Sequence, residues 1–265
     1  MMPTVKEFSS EYLAVFGLIL ALSLGLPGLL FALRRKAMPL ARADKKLMSS
    51  EIFSLFASVY AFFLGFSIIT LWGVFVSAKS LAGAESGHAL AAYRLSAPLP
   101  GSEPLRLALI AYAKSVVEDE WPLMARDAVM SERSSERMDD VWKAFYAMHA
   151  GAGNDSSLYA GLGQTLAQVN AARLSRSQTL AGNLYPPVWV ILFFGLGGVF
   201  VGLLLTNPEQ TRSQVVLEVI VAFLVFSCVY FIVDISTPFS GILNVTPEPF
   251  QEAHARMLTL QGAAR

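Results

Sequence analysis

Few residues in this chain are of a type and spacing that could do bond-making chemistry. The histidines are His88, His149 and His254, dispersed along the sequence with none of the i, i+4 spacing that holds a metal on one helix face. The single cysteine, Cys228, has no second thiol with which to form a disulfide or share a metal, and it reads as a small apolar packing residue. No nucleophile elbow, phosphate loop or dinucleotide fingerprint occurs. Gly195-Leu-Gly-Gly198 lies inside an apolar run, where it serves helix packing rather than a nucleotide. Carboxylates cluster in Glu118-Asp119-Glu120, which could face cations, although a solvated helix face is the more usual origin of such a run. No catalytic residue, metal site or cofactor is expected. An intramembrane enzyme ranks below the other readings, because no nucleophile–base pair is visible.

The elements that must carry these residues are membrane helices. Tyr12–Leu33, Ile52–Ala78, Pro187–Thr206 and Val215–Val233 are long and apolar, the last with one acid, Glu218. A bilayer core is crossed by about 20 apolar helical residues, and backbone groups cannot stay unpaired in lipid. Mean hydropathy is +0.52 and 15% of residues are charged, against about 25% for a soluble domain. The 20 basic and 20 acidic residues cancel, leaving no basic excess for a nucleic-acid partner.

The expected fold is all-α. Residues 1–78 form a first transmembrane hairpin (spans at about 12–33 and 52–76), and 79–186 form a helical extramembrane domain. Residues 187–233 form a second hairpin (spans at about 187–206 and 215–233), and 234–265 are a tail that packs on the domain. In the tail, Phe250–Leu260 is expected to be a short amphipathic helix, with Phe250, Met257 and Leu258 inward. In the domain, Lys79–Ala97 continues the second span until Pro98-Leu-Pro100 stops it. Glu103–Met130 is helical but broken or kinked at Pro122. Ser134 or Ser135 caps the next helix, Gly151–Asp155 is a loop, and a further helix runs from about Ser156 towards Asn183. Gly198 with Gly202, and Ala61 with Gly65, are small-xxx-small pairs that suit close contacts within the chain or between copies.

Four spans put both termini and the middle domain on one side. The connection holding Arg34, Arg35, Lys36, Arg42, Lys45 and Lys46 gives a small excess of positive charge on the other side. By the positive-inside rule, that excess places the domain outside the cell.

Three patches are more specific. Leu64-Gly-Phe66 leads through Trp72 to Ala84-Glu-Ser-Gly-His-Ala-Leu90 and Tyr93. Tyr112 is followed by Glu120-Trp121-Pro122. The last span ends in Asp234-Ile-Ser-Thr-Pro238-Phe239-Ser-Gly241, with Val245-Thr-Pro247 after it. In this order and spacing, over roughly Ile52 to Phe250, they resemble the bestrophin-like membrane proteins. The resemblance implies an ion channel built from identical subunits, with the second span lining an apolar pore neck. Phe62, Gly65, Phe66, Ile69 and Thr70 are then the pore-lining candidates, and Glu85 could ring a vestibule, its alternative being an intrachain salt bridge. It also implies a cytoplasmic middle domain, the reverse of the charge count. Glu120, Trp121, Pro122, Pro238, Phe239 and Gly241 read as structural, and Asp234 as an acid that caps a turn or pairs with Arg94 or Arg173. The partners implied are the lipid bilayer, further copies of the chain and inorganic ions. The competing reading is a non-conducting membrane scaffold or sensor whose helical domain binds a partner.

Overall fold

The computed structural model describes residues 10–41, 50–149, 156–180, 186–206 and 212–263. Every regular element among them is a helix: α1 (Ser10–Ala41), α2 (Ser50–Ser96), α3 (Glu103–Ser115), a π turn (Val116–Glu120), α4 (Trp121–Asp127), α5 (Glu132–His149), α6 (Ser156–Gln178), α7 (Pro186–Thr206), α8 (Arg212–Ile235) and α9 (Glu248–Ala263). Four of them, α1, α2, α7 and α8, are long and apolar enough to span a bilayer, as the sequence predicts. Arg42, Lys45, Lys46, the loop at 151–155 and residues 181–185 and 207–211 lie outside the described residues. The chain forms two compact units, Met1–Leu71 with Leu184–Asp234, and Trp72–Asn183 with Ile235–Arg265.

In the first unit, α7 meets α2 through glycine. A Cβ on Gly195, Gly198 or Gly202 would lie 2.2, 2.3 and 1.9 Å from the rings of Tyr60, Phe56 and Phe53, respectively. Those spacings of three and four residues put all three glycines on one helix face. Three α2 rings therefore lie directly on the α7 backbone, and the Tyr60 hydroxyl donates to the Leu192 carbonyl oxygen at 2.9 Å. The Gly198–Gly202 pair thus serves packing within the chain. Next to this seam an apolar groove of about 470 Å³ is lined by Ala57, Ala61, Gly65 and Ile68 of α2, with Val199, Val225 and Cys228 opposite.

The second unit has a continuous core. It draws on Ala78, Ala82, Ala89 and Tyr93 of α2, Leu105, Leu109 and Tyr112 of α3, Val141 and Phe145 of α5, Leu162, Leu166 and Val169 of α6, and Phe250 and Met257 of α9. The domain helices depart from expectation in two places. The Glu103–Met130 stretch is neither cut nor simply kinked at Pro122. It passes through the π turn and ends at Ala128, whose φ of 53° is left-handed. Proline lacks an N–H and crowds the carbonyl four residues back, so a widened turn just before it relieves both problems. The cap of α5 is Ser131 rather than Ser134 or Ser135: its Oγ accepts from the Ser134 N–H at 3.4 Å. In α9, Phe250 and Met257 are buried as expected, but Ala253 joins them while Leu258 stays 46% exposed.

The glycine seam gives a direct test. Gly198→Ala forces a methyl into the Phe56 ring and lowers stability by about 1–3 kcal/mol, the usual cost of overpacking. Gly197→Ala meets nothing within 4 Å and leaves the melting temperature in detergent unchanged. Thermal unfolding of the two variants side by side checks it.

Candidate functional site

The most concentrated polar chemistry lies inside the second unit, where Glu85, Tyr112, Glu120, Arg173 and Arg176 meet. Glu85, Glu120 and Arg176 are wholly buried and Arg173 nearly so. Isolated charges at such depth would be prohibitively costly. Two carboxylates therefore face two guanidinium groups. Arg176 Nε donates to Glu85 Oε2 at 2.7 Å, and its Nη2 donates to Glu85 Oε1 at 3.1 Å and to Glu120 Oε1 at 2.6 Å. Arg173 Nη2 donates to Glu120 Oε2 at 2.6 Å and to Ser135 Oγ at 3.1 Å, and its Nη1 donates to the Tyr112 hydroxyl at 3.3 Å. The Tyr112 hydroxyl in turn donates to Glu85 Oε1. Charge-assisted hydrogen bonds of this kind are the strong ones, and here each carboxylate bridges at least two donors.

Local structure explains the convergence. Arg173 and Arg176 are three residues apart, hence on one side of α6, and they are the only charged residues on that helix. Tyr112 and Glu120 are eight apart, which in a regular helix would set them about 80° apart round the axis. The wider π turn between them takes up most of that drift. It also splits the acidic run. Glu118 and Asp119 stay at the surface, within 3.8 Å of Lys114 and 3.1 Å of Arg133, while Glu120 turns inward. The solvated-face expectation therefore fails for Glu120, because the π turn puts it opposite two buried arginines.

Aromatic rings close the site. The Arg176 guanidinium lies 5.3 Å from the Trp121 ring centre and 5.8 Å from that of Phe250, close enough for cation–π attraction. The Trp121 indole donates to the Val245 carbonyl oxygen at 2.9 Å and its ring meets Phe239 edge-on. Burial works to lower the pKa of both arginines and is the largest effect on each. For Arg176 the carboxylates of Glu85 and Glu120 outweigh it, and for Arg173 Tyr112 and Glu120 do, so both are held above the ordinary guanidinium value. Burial, and then Glu85, push the Tyr112 phenol well above its ordinary value, against the opposing pull of the two arginines. Both guanidinium groups therefore stay charged and the phenol stays neutral at ordinary pH.

The residues singled out in the sequence fall into three places. Glu85, Tyr112, Glu120, Trp121 and Phe239 belong to this cluster and its aromatic cover. Glu85 is an intrachain salt bridge: with no exposed surface and both oxygens taken, it does not present a free carboxylate to a vestibule. Pro122 is exposed beside the cluster, and Pro238 and Gly241 shape the loop behind Phe239. There the Val245 N–H donates to the Pro238 carbonyl oxygen at 2.8 Å, and Gly241 takes a φ of 85°. Asp234 accepts from the Tyr230 hydroxyl at 3.4 Å, whereas Arg173, one of its expected partners, is committed to Glu120.

The α2 candidates form the third group. Phe62, Phe66 and Ile69 are 77%, 61% and 73% exposed and share one helix face at spacings of four and three. Thr70 flanks that face, its hydroxyl donating to the Phe66 carbonyl oxygen, and Gly65 turns toward the groove. Sequence reading missed Arg173 and Arg176 as partners of the two glutamates. The signal available was their isolation on an otherwise uncharged helix. Among the described residues no group of three metal-ligating side chains occurs.

An all-helical protein with four apolar spans and such a core is a multi-pass membrane protein. The family model of the bestrophin-like domain matches residues 13–250, so the chain belongs to the bestrophin-like family. Similar folds occur in crystal structures of a bacterial bestrophin homologue from Klebsiella pneumoniae, solved in several substituted forms. One has a TM-score of 0.73 at 12% identity, covering 92% of this chain and 99% of that one. Two others score 0.71 and 0.72 at 14% and 15% identity, covering 93% and 92% of this chain and 99% and 98% of theirs. No curated protein matches.

Because both arginines are spoken for, truncating one strands a buried carboxylate. Arg176→Met should destabilise the protein by about 3–5 kcal/mol, read as a fall in melting temperature, whereas Arg133→Ala, at an exposed pair, should shift it by less than about 1 kcal/mol.

Proposed function

We propose that the protein is an ion channel assembled from identical subunits, with α2 lining the pore. The observation that carries this reading is the α2 face bearing Phe62, Phe66 and Ile69. It holds large apolar side chains directed away from the rest of their unit, on the span that bestrophin-like proteins are expected to turn toward the pore. Apolar side chains brought together around an axis would form a neck that gates by dewetting, with no polar group required. Family membership supports the same reading. The opposite face of α2 is occupied within the chain, where Phe53, Phe56 and Tyr60 lie on the α7 glycines. That leaves the Phe62 face for lipid or for other copies of the chain.

Purified protein in liposomes under a KCl gradient tests this directly. Flux with a defined reversal potential is expected, and Ile69→Ala and Phe66→Ala should raise it severalfold by widening and wetting the neck. Absence of flux from all three proteins, together with a monomer on sizing, would favour the non-conducting scaffold.

A further inference from the structure

Residues 119–124 carry two overlapping versions of one helix face. In each, an acid stands four positions before an aliphatic residue: Asp119 with Leu123, and Glu120 with Met124. Residues four apart share a side of a helix. The structure uses the second version. Glu120 and Met124 are buried, while Leu123 is half-buried and Asp119 pairs with Arg133 at the surface.

The π turn makes that choice. The Trp121 N–H donates to the Val116 carbonyl oxygen, five residues back, and the backbone is helical on either side. At 100° per residue, an uninterrupted helix from Tyr112 would carry Glu120 about 80° away but keep Asp119 and Leu123 within about 20°. Tyr112 lies on the arginine side, its hydroxyl 3.3 Å from Arg173 Nη1. Without the extra residue, the acid facing the arginines is therefore Asp119.

Two neighbours oppose the uninterrupted register. It would set Trp121 about 180° from Tyr112. The indole would then lose the Val245 carbonyl, the edge of Phe239 and the guanidinium of Arg176. Pro122 would press its ring on the carbonyl of Glu118, four residues back. Little else is lost. An acid still meets the arginines, Leu123 replaces Met124 at similar volume, and the pair given up with Arg133 is exposed. The one residue of slack falls in the non-helical residues 128–131, where Ala128 is already left-handed.

We infer that residues 116–127 form a two-register element, in which a regular α register with Asp119 opposite Arg173 and Arg176 lies behind the π register, and Trp121 and Pro122 hold the π register in place. Single π turns recur at functional positions in helices. Here the exchange swaps one acid for another without stranding a guanidinium. It also withdraws Trp121 from Phe239, Val245 and Phe250, so charge balance in the core is linked to the grip on the segment that joins α8 to α9.

The test crosses Asp119→Asn with Glu120→Ala, and with Glu120→Gln, which keeps the side chain's shape, using the full chain in detergent. Melting temperature and acrylamide quenching of tryptophan emission are read together. Asp119→Asn should be nearly silent in the wild type and should lower the melting temperature at least threefold more when Glu120 is replaced. Quenching should rise in the Glu120 variants, because Trp121 turns outward, and fall back when Asp119→Asn is added. Equal melting shifts in both backgrounds overturn the inference. So does coupling with no rise in quenching, which is charge interaction across a fixed π turn. If Glu120→Ala does not fold, Glu120→Gln decides by the same two readings.

Discussion

The second unit depends on the burial of Arg176 between Glu85 and Glu120. A guanidinium with no exposed surface tolerates only a site that answers most of its donors, and Nε, Nη1 and Nη2 are all answered, by Glu85, Met124 and Glu120. That requirement fixes the rotation of α2, where Glu85 sits, against α6. It also fixes the π turn, which brings Glu120 round toward the two arginines. Such an arrangement is a weak source of net stability, because desolvation offsets most of the attraction. It is a strong source of specificity, since any slip of α2 or α6 strands a charge.

Constraint in the first unit is of another kind. Lipid supplies no hydrophobic force between helices, so close packing and hydrogen bonds must hold them. The aromatic rings of α2 seated on bare α7 backbone, with the Tyr60 hydroxyl reaching the Leu192 carbonyl, provide both. One side of α2 is thereby committed within the chain, and the side bearing Phe62, Phe66 and Ile69 is left outward. Ring-on-glycine contact thus orients the part of α2 in the first unit, and ion pairing orients the part in the second. The proposed function requires that outward side to face a shared axis.

Much of this was legible in the sequence. Length and hydropathy alone disclose the four spans, and the proline pair after Ala97 marks where α2 ends. The motifs around Glu85, Glu120-Trp121 and Asp234–Gly241 point to the family by themselves. What the sequence concealed was pairing across long separations. Nothing local says that Glu85 meets Arg176, 91 positions on, or that a five-residue π turn sends Glu120 inward while Glu118 and Asp119 stay out. For Glu85 a vestibule carboxylate and an intrachain salt bridge both stayed open, because its partners lie on other helices. Glycine spacing on α7 predicted close approach, but not whether the approaching surface was α2 or another copy; that depended on the matching spacing of Phe53, Phe56 and Tyr60.

The central claim is that the outward face of α2 meets water rather than lipid. It is tested most directly by placing single cysteines along α2 in a Cys228→Ala background and labelling intact proteoliposomes with a membrane-impermeant thiol reagent. Cysteines at Phe62, Phe66, Ile69 and Gly73 should label, while those at the buried positions Leu64 and Leu71 should not. If the first four react only with a lipid-soluble reagent, that face lies against acyl chains and α2 does not line a pore.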